Sequence, residues 1–182
     1  MVTRALVGFL YQVVRFKRAK DGVTAVEFAL IAVPLFMIIF AIVELGLLFF
    51  AEQALNNATM NAARMIRTGQ AQTMNIGADD FRNMICDGTA GLLCSKPEQL
   101  HIDVRTYDSF AKISETPPLI DPDDKTFTPP SNFQMGSSSS VVMVRVIYEW
   151  PMLTNWMKDA FQDTADGDRL LVSTVIFKNE PF

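Results

Sequence analysis

The chain has 182 residues, 49% of them hydrophobic and 20% charged, with a formal net charge of −4 and a mean hydropathy of +0.19. Its 14 Phe and abundant Val, Ile and Leu exclude a disordered chain. A 23-residue apolar run, Phe28–Phe50, interrupted only by Glu44, excludes an ordinary cytosolic soluble enzyme.

Ahead of Gly22 the basic residues Arg4, Arg15, Lys17, Arg18 and Lys20 face one acid, Asp21, for a net +4, whereas the remainder carries −8. Positive side chains just before an apolar run predict that this end stays in the cytoplasm and the C-terminal portion is translocated. The acidic remainder has no Lys/Arg cluster, so no nucleic-acid partner is expected. Residues 1–21 are mildly amphipathic, with Leu6, Phe9, Leu10, Val13, Val14 and Phe16 among the basic residues. They fit a helix lying on the membrane surface or a leader that is later removed. An ordinary secretory signal does not fit, because the basic cluster comes late and no small-residue cleavage site follows the apolar run.

From Val23 to Thr68 the pattern predicts one continuous helix. Its first part is apolar all round, as a helix in lipid must be. Beyond Ala51, polar residues enter, and Leu55, Ala58, Ala62, Met65 and Ile66 keep a stripe at helical spacing. A helix of this length measures about 69 Å, more than twice the hydrocarbon thickness of a bilayer. Pro34 removes one hydrogen bond, which membrane helices tolerate, and Gly69 is the expected stop.

The remainder reads as a small globular region. Asp79 and Asp80 cap a short helix carrying Phe81, Met84 and Ile85 that ends at Gly88. Cys86 and Cys94, the two cysteines, are expected to pair if the segment lies in an oxidising compartment. A redox role would need a closer CxxC-type pair. A zinc site would need more ligands than these and the lone His101. Leu100, Ile102 and Val104 alternate with His101, Asp103 and Arg105 in a half-buried strand, with His101 facing solvent. Residues 114–140, rich in Pro and Ser, form a long exposed loop. Val141–Trp150 is a second strand. Met152, Leu153, Trp156, Met157, Ala160 and Phe161 share one face of a helix, with Trp150, Trp156 and Phe161 assigned to the core. Asp166–Gly167 makes a turn before a third strand, Leu170–Phe177.

Few residues suggest a site. Asp121, Asp123 and Asp124 lack the regular ligand spacing of a calcium loop and are expected to be solvated. Asn57-Ala58-Thr59 matches a glycosylation sequon but falls within the stem helix. No nucleophile–base arrangement or phosphate-binding glycine loop is legible, so neither an enzyme nor a cofactor is expected. Glu27 stands at the edge of the apolar run, five residues after Gly22. A carboxylate there costs a few kcal/mol unless it is paired or reaches the interface. Glu44 lies about 25 Å further along the helix. It is expected at the headgroup level of the opposite face, or in a pairing between subunits.

The stretch GVTAVEFALIAVPLF (Gly22–Phe36), the paired cysteines followed by a strand, and the closing VIFKNEPF together resemble the TadE-like minor pseudopilins of the tight-adherence (Flp) branch of type IV pili. The resemblance runs over nearly the whole chain, and is weakest in the loop 114–140. It implies cleavage by an aspartyl prepilin peptidase between Gly22 and Val23, making Val23 the mature N-terminus and Glu27 its fifth residue. Glu27 and Phe28 would then serve subunit assembly. The implied partners are the bacterial inner membrane, the prepilin peptidase, the major Flp pilin, other minor pseudopilins and the Tad assembly machinery.

The expected fold class is α+β: a long transmembrane and stem helix, then a small periplasmic domain of about three antiparallel strands with short helices. The expected divisions are a cytoplasmic leader (1–22), a transmembrane helix (23–51), a stem (52–69) and a periplasmic head (70–182). The competing expectation is an uncleaved, signal-anchored periplasmic scaffold or binding module in which Glu27 is only an interfacial residue.

Overall fold

The computed structural model of the chain describes residues 22–182; the basic leader read in residues 1–21 lies outside them. The order of elements is α1 (Val23–Arg67), α2 (Gln70–Thr73), α3 (Ala78–Gly88), β1 (Leu100–Tyr107), β2 (Val141–Pro151), α4 (Asn155–Phe161) and β3 (Asp168–Lys178), with single 3-10 segments at Pro97–Gln99 and Phe110–Glu115. The architecture is α+β, a long apolar helix followed by a small domain with three antiparallel strands. Two compact units are distinguished, one running to Val43 and the other comprising Glu44–Phe182.

Helix α1 continues for 45 residues through Pro34. It is long and apolar enough to cross a membrane. Arg64 and Arg67 lie in its last turn, where positive charge complements the helix dipole. The chain leaves through Gly69 at φ 77°. The Phe182 ring occupies the place a Cβ on Gly69 would need, so sterics as well as backbone conformation favour glycine there. The backbone N–H of Glu180 donates to the Arg67 carbonyl at 2.9 Å.

In the Glu44–Phe182 unit, the C-terminal part of α1 buries Leu48, Ala51, Leu55, Ala58, Ala62, Ala63 and Ile66. That is the apolar stripe expected of a helix laid on a sheet. The sheet has the order β1-β2-β3, both pairings antiparallel. Alternation gives it two faces. One carries Val104, Val144 and Val175 in register and also Ser173, whose hydroxyl donates to Asn56 Oδ1 at 2.8 Å; this face meets α1. The other carries His101, Asp103, Arg105, Met143 and Arg145.

Residues 114–140 are not simply an exposed loop. Part of this segment returns beside β1, where the Val104 N–H donates to the Asn132 carbonyl and the Gln134 N–H to the Val104 carbonyl, both at 2.8 Å. These bonds occupy an edge that would otherwise stay open for pairing. Phe133 meets Phe81 of α3 edge-on at 5.7 Å.

Helix α3 begins at Ala78 with Gly77 as its N-cap residue, so Asp79 and Asp80, expected to cap it, lie within its first turn. The Asp80 carboxylate accepts the Gly77 N–H at 3.1 Å, satisfying a donor that the first turn leaves free. Gly88 ends the helix against Ala58, leaving no room for a Cβ. Cys86 and Cys94 form a disulfide with Cα atoms 5.6 Å apart, joining α3 to the turn that follows it.

Candidate functional site

The residues singled out from the sequence open α1. The Gly22 carbonyl accepts the Val26 N–H at 3.1 Å, so the first turn already includes Gly22. Val23, Val26 and Phe28 are exposed, as is Glu27. Among the described residues no salt bridge or side-chain hydrogen bond involves Glu27. The helix places Gly22, Val23, Glu27 and Phe28 within its first two turns. This surface is apolar with a single carboxylate, and exposure continues along the helix: between Val23 and Val43 only Ala32 and Ala41 are partly covered.

Glu44 behaves differently from its expectation. It is 2% exposed, and its carboxylate is occupied by donors of its own chain. Oε1 accepts the backbone N–H groups of Leu153 at 2.7 Å and Thr154 at 3.3 Å. Oε2 accepts the Thr154 hydroxyl at 2.5 Å. An acid among apolar residues is tolerated because three donors replace its water. Thr154 is the N-cap residue of α4, so Glu44 fixes the start of that helix. Sequence reasoning missed the role, although an acid inside an apolar run is itself a signal that donors must lie nearby.

Three other expectations are corrected. His101 does not face solvent. Its Nε2 lies 2.6 Å from Glu149 Oε1, and its ring meets Phe127 edge-on at 5.3 Å. Asp103 is fully buried and pairs with two arginines, Arg105 Nε and Arg145 Nη2, each at 2.7 Å. Register explains the cluster: Asp103 stands opposite Arg145, and Arg105 lies two residues along on the same face. Trp156 and Phe161 are not core. They are 47% and 39% exposed, and Leu153 is 66% exposed, whereas Met152 and Met157 are buried. Trp150 is half-buried.

Few groups show shifted acidity. Burial, reinforced by Glu149, raises the Asp168 pKa above the usual carboxylate value. Burial also raises Tyr148. Asp124 is lowered because its carboxylate accepts the Thr126 N–H. Asp121 likewise accepts the Asp123 N–H at 2.8 Å, which accounts for the acidic loop as local turn chemistry. A cavity of about 340 Å³ lies under the proline-rich segment, lined in part by Arg105, Arg145, Pro118 and Asp121. Among the described residues no cluster of His, Cys, Asp and Glu is arranged to hold a metal.

Residues 22–64 match the family model described as TadE-like protein. The match begins at Gly22, covers most of α1 and includes none of the sheet. The chain is TadE-like over this helix, consistent with a TadE-like protein of the Tad/Flp pilus system. No curated protein and no solved structure matches the chain.

Proposed function

We propose that this chain is a minor pseudopilin that takes part in assembling a tight-adherence pilus. A prepilin peptidase cuts between Gly22 and Val23, and the mature chain is held in the bacterial inner membrane by α1 with its C-terminal domain in the periplasm. The observation that carries this is the TadE-like match, which starts at Gly22 and follows the apolar helix. The exposure of α1 from Val23 to Val43 supports it, because an apolar surface of that length calls for lipid or other helices around it.

The mechanism is non-catalytic. Cleavage creates an α-ammonium at Val23, about one helical turn from Glu27. In lipid, an isolated carboxylate and an isolated ammonium each carry a large desolvation cost, and pairing offsets both. Glu27 on one subunit and the new amine on its own or a neighbouring chain thus favour one register of helix packing, while Phe28 adds apolar contact. The packing partners are the major Flp pilin and other minor pseudopilins, brought together by the Tad machinery.

N-terminal sequencing and intact mass of the protein from native membranes, with and without the matching prepilin peptidase, test the first step. The expected result is a chain beginning at Val23 only when the peptidase is present. A chain retaining residues 1–22 in both cases would overturn the cleavage step and leave an uncleaved, membrane-anchored module. Glu27→Gln is then expected to abolish filaments while leaving peptidase cleavage and membrane content unchanged.

A further inference from the structure

Residues 152–161, which include helix α4, carry large apolar side chains that the domain leaves uncovered. Met152 and Met157 are buried, but Leu153, Trp156 and Phe161 are exposed. Three large apolar side chains within nine residues, two of them aromatic, are an unusual surface for a domain bathed only in water.

Their position suggests what covers them. The backbone at Leu153 and Thr154 is bound to the Glu44 carboxylate at 2.7 and 3.3 Å. Glu44 lies inside the apolar run Phe28–Phe50, about 9 Å along the helix before its end. Leu47, Phe49 and Phe50, in the next turns, are exposed apolar residues of the same compact unit. The start of α4 is therefore held at the level of the last turns of the membrane span. Trp is the residue most at home at a membrane–water boundary, where its ring meets acyl chains and its N–H meets headgroups. Asn155, Lys158 and Asp159 supply polar groups to the same short helix.

We infer that Leu153, Trp156 and Phe161 form an interfacial anchor that seats the domain in the headgroup region of the bilayer, with Glu44 as the positioning residue that holds α4 at this depth. The inference rests on α1 spanning the membrane. The occupant is a lipid surface, chosen over a second protein because the segment that carries these side chains is hydrogen-bonded at Leu153 and Thr154 to Glu44, inside the apolar run. The assignment also explains the exposure of Trp156 and Phe161.

The test uses the full chain reconstituted in phospholipid vesicles, in a Trp150→Phe background so that Trp156 alone reports. The Trp150 Nε1 is buried without a hydrogen-bond partner, so the replacement loses no such bond. Lipids brominated near the carboxyl end of the acyl chains are expected to remove most of the Trp156 emission. Lipids brominated near the methyl end should remove little, and acrylamide in the water should quench weakly. Leu153→Gln, polar but uncharged beside Glu44 and at an exposed position, should shift Trp156 toward acrylamide quenching without altering the near-ultraviolet dichroism of the folded domain.

Strong acrylamide quenching with no bromine effect in vesicle-bound protein would overturn the anchor while leaving the span intact. Protection from both quenchers would also overturn it, by showing that another protein chain covers the patch. A chain that does not float with the vesicles would remove the spanning helix, and the anchor with it.

Discussion

Two stretches of one helix show how the same secondary structure can be left bare or be packed. From Val23 to Val43, α1 exposes nearly every side chain, most of them apolar. From Glu44 to Arg67 it buries nine residues and turns polar groups such as Gln53, Asn57 and Asn61 outward. The two glutamates of the apolar portion divide the same way. Glu27 is exposed, whereas Glu44 is enclosed by donors from Leu153 and Thr154. The difference teaches that an acid in an apolar run has no single meaning. Glu44 is bonded within its own chain, whereas Glu27, at the edge of the run, has no side-chain partner among the described residues.

The strongest way to break the comparison is to truncate a large apolar side chain in each stretch. Leu55 is fully buried, and Leu55→Ala is expected to destabilise the domain by about 3 kcal/mol through lost transfer energy and a residual cavity. Phe36 is 52% exposed, and Phe36→Ala should leave the unfolding midpoint of the domain unchanged. Thermal unfolding of the full chain in lipid nanodiscs, followed by near-ultraviolet dichroism, measures both. Equal losses would mean that the two stretches share one packed environment.

The glutamates give the next largest contrast. Glu44→Ala removes the acceptor for two backbone N–H groups and a hydroxyl, and is expected to cost about 2 kcal/mol because the buried donors lose their partner. Glu27→Ala should leave the same midpoint where it was. If Glu44→Ala unfolds at the wild-type temperature, water replaces the carboxylate without loss, and α4 is held by Met152 and Met157 alone.

Legibility in the sequence follows the same division. Helix α1 is readable to within a residue because its apolar run and its later stripe are long and periodic. The three strands are readable because Val, Ile and Leu alternate or cluster between turn residues. What covers each face is not readable. The pattern around His101 and Asp103 marks a face of β1 distinct from Ile102 and Val104, and polar residues on such a face are ordinarily solvated. Here the segment after β1 returns over that face, and strand register brings Arg145 opposite Asp103. Both facts depend on long-range pairing, and Arg145 lies 42 residues from Asp103 in sequence. A charge amid the apolar residues of β2, Val144-Arg145-Val146, is the available hint of a buried partner. Trp156 and Phe161 escape the sequence for a related reason: helical spacing shows that residues share a face without showing what that face meets. Gly22, Val23, Glu27 and Phe28 are visible from their motif, since nothing folds over them among the described residues.

The smallest expected effect concerns whether the domain carries a pH response of its own, separate from the acids of α1. Asp168 begins β3 opposite Pro151, and its pKa is raised above 3.8 by burial and by the negative charge of Glu149. A raised folded-state value means the native chain holds this proton more tightly than the unfolded chain. Its contribution favours the native state below about pH 3.8, and that advantage is lost as pH rises through the folded value. At neutral pH the ionised Asp168 is therefore mildly unfavourable. Asp168→Asn keeps the shape and removes the charge, so it should raise stability at pH 7. The gain should be only a few tenths of a kcal/mol, because the side chain is partly exposed and screened. Denaturant unfolding at a series of pH values should show the variant's advantage shrinking as pH falls, and vanishing once Asp168 of the native chain is protonated. An advantage unchanged across that range would mean that the substituted amide stabilises through packing rather than through loss of charge.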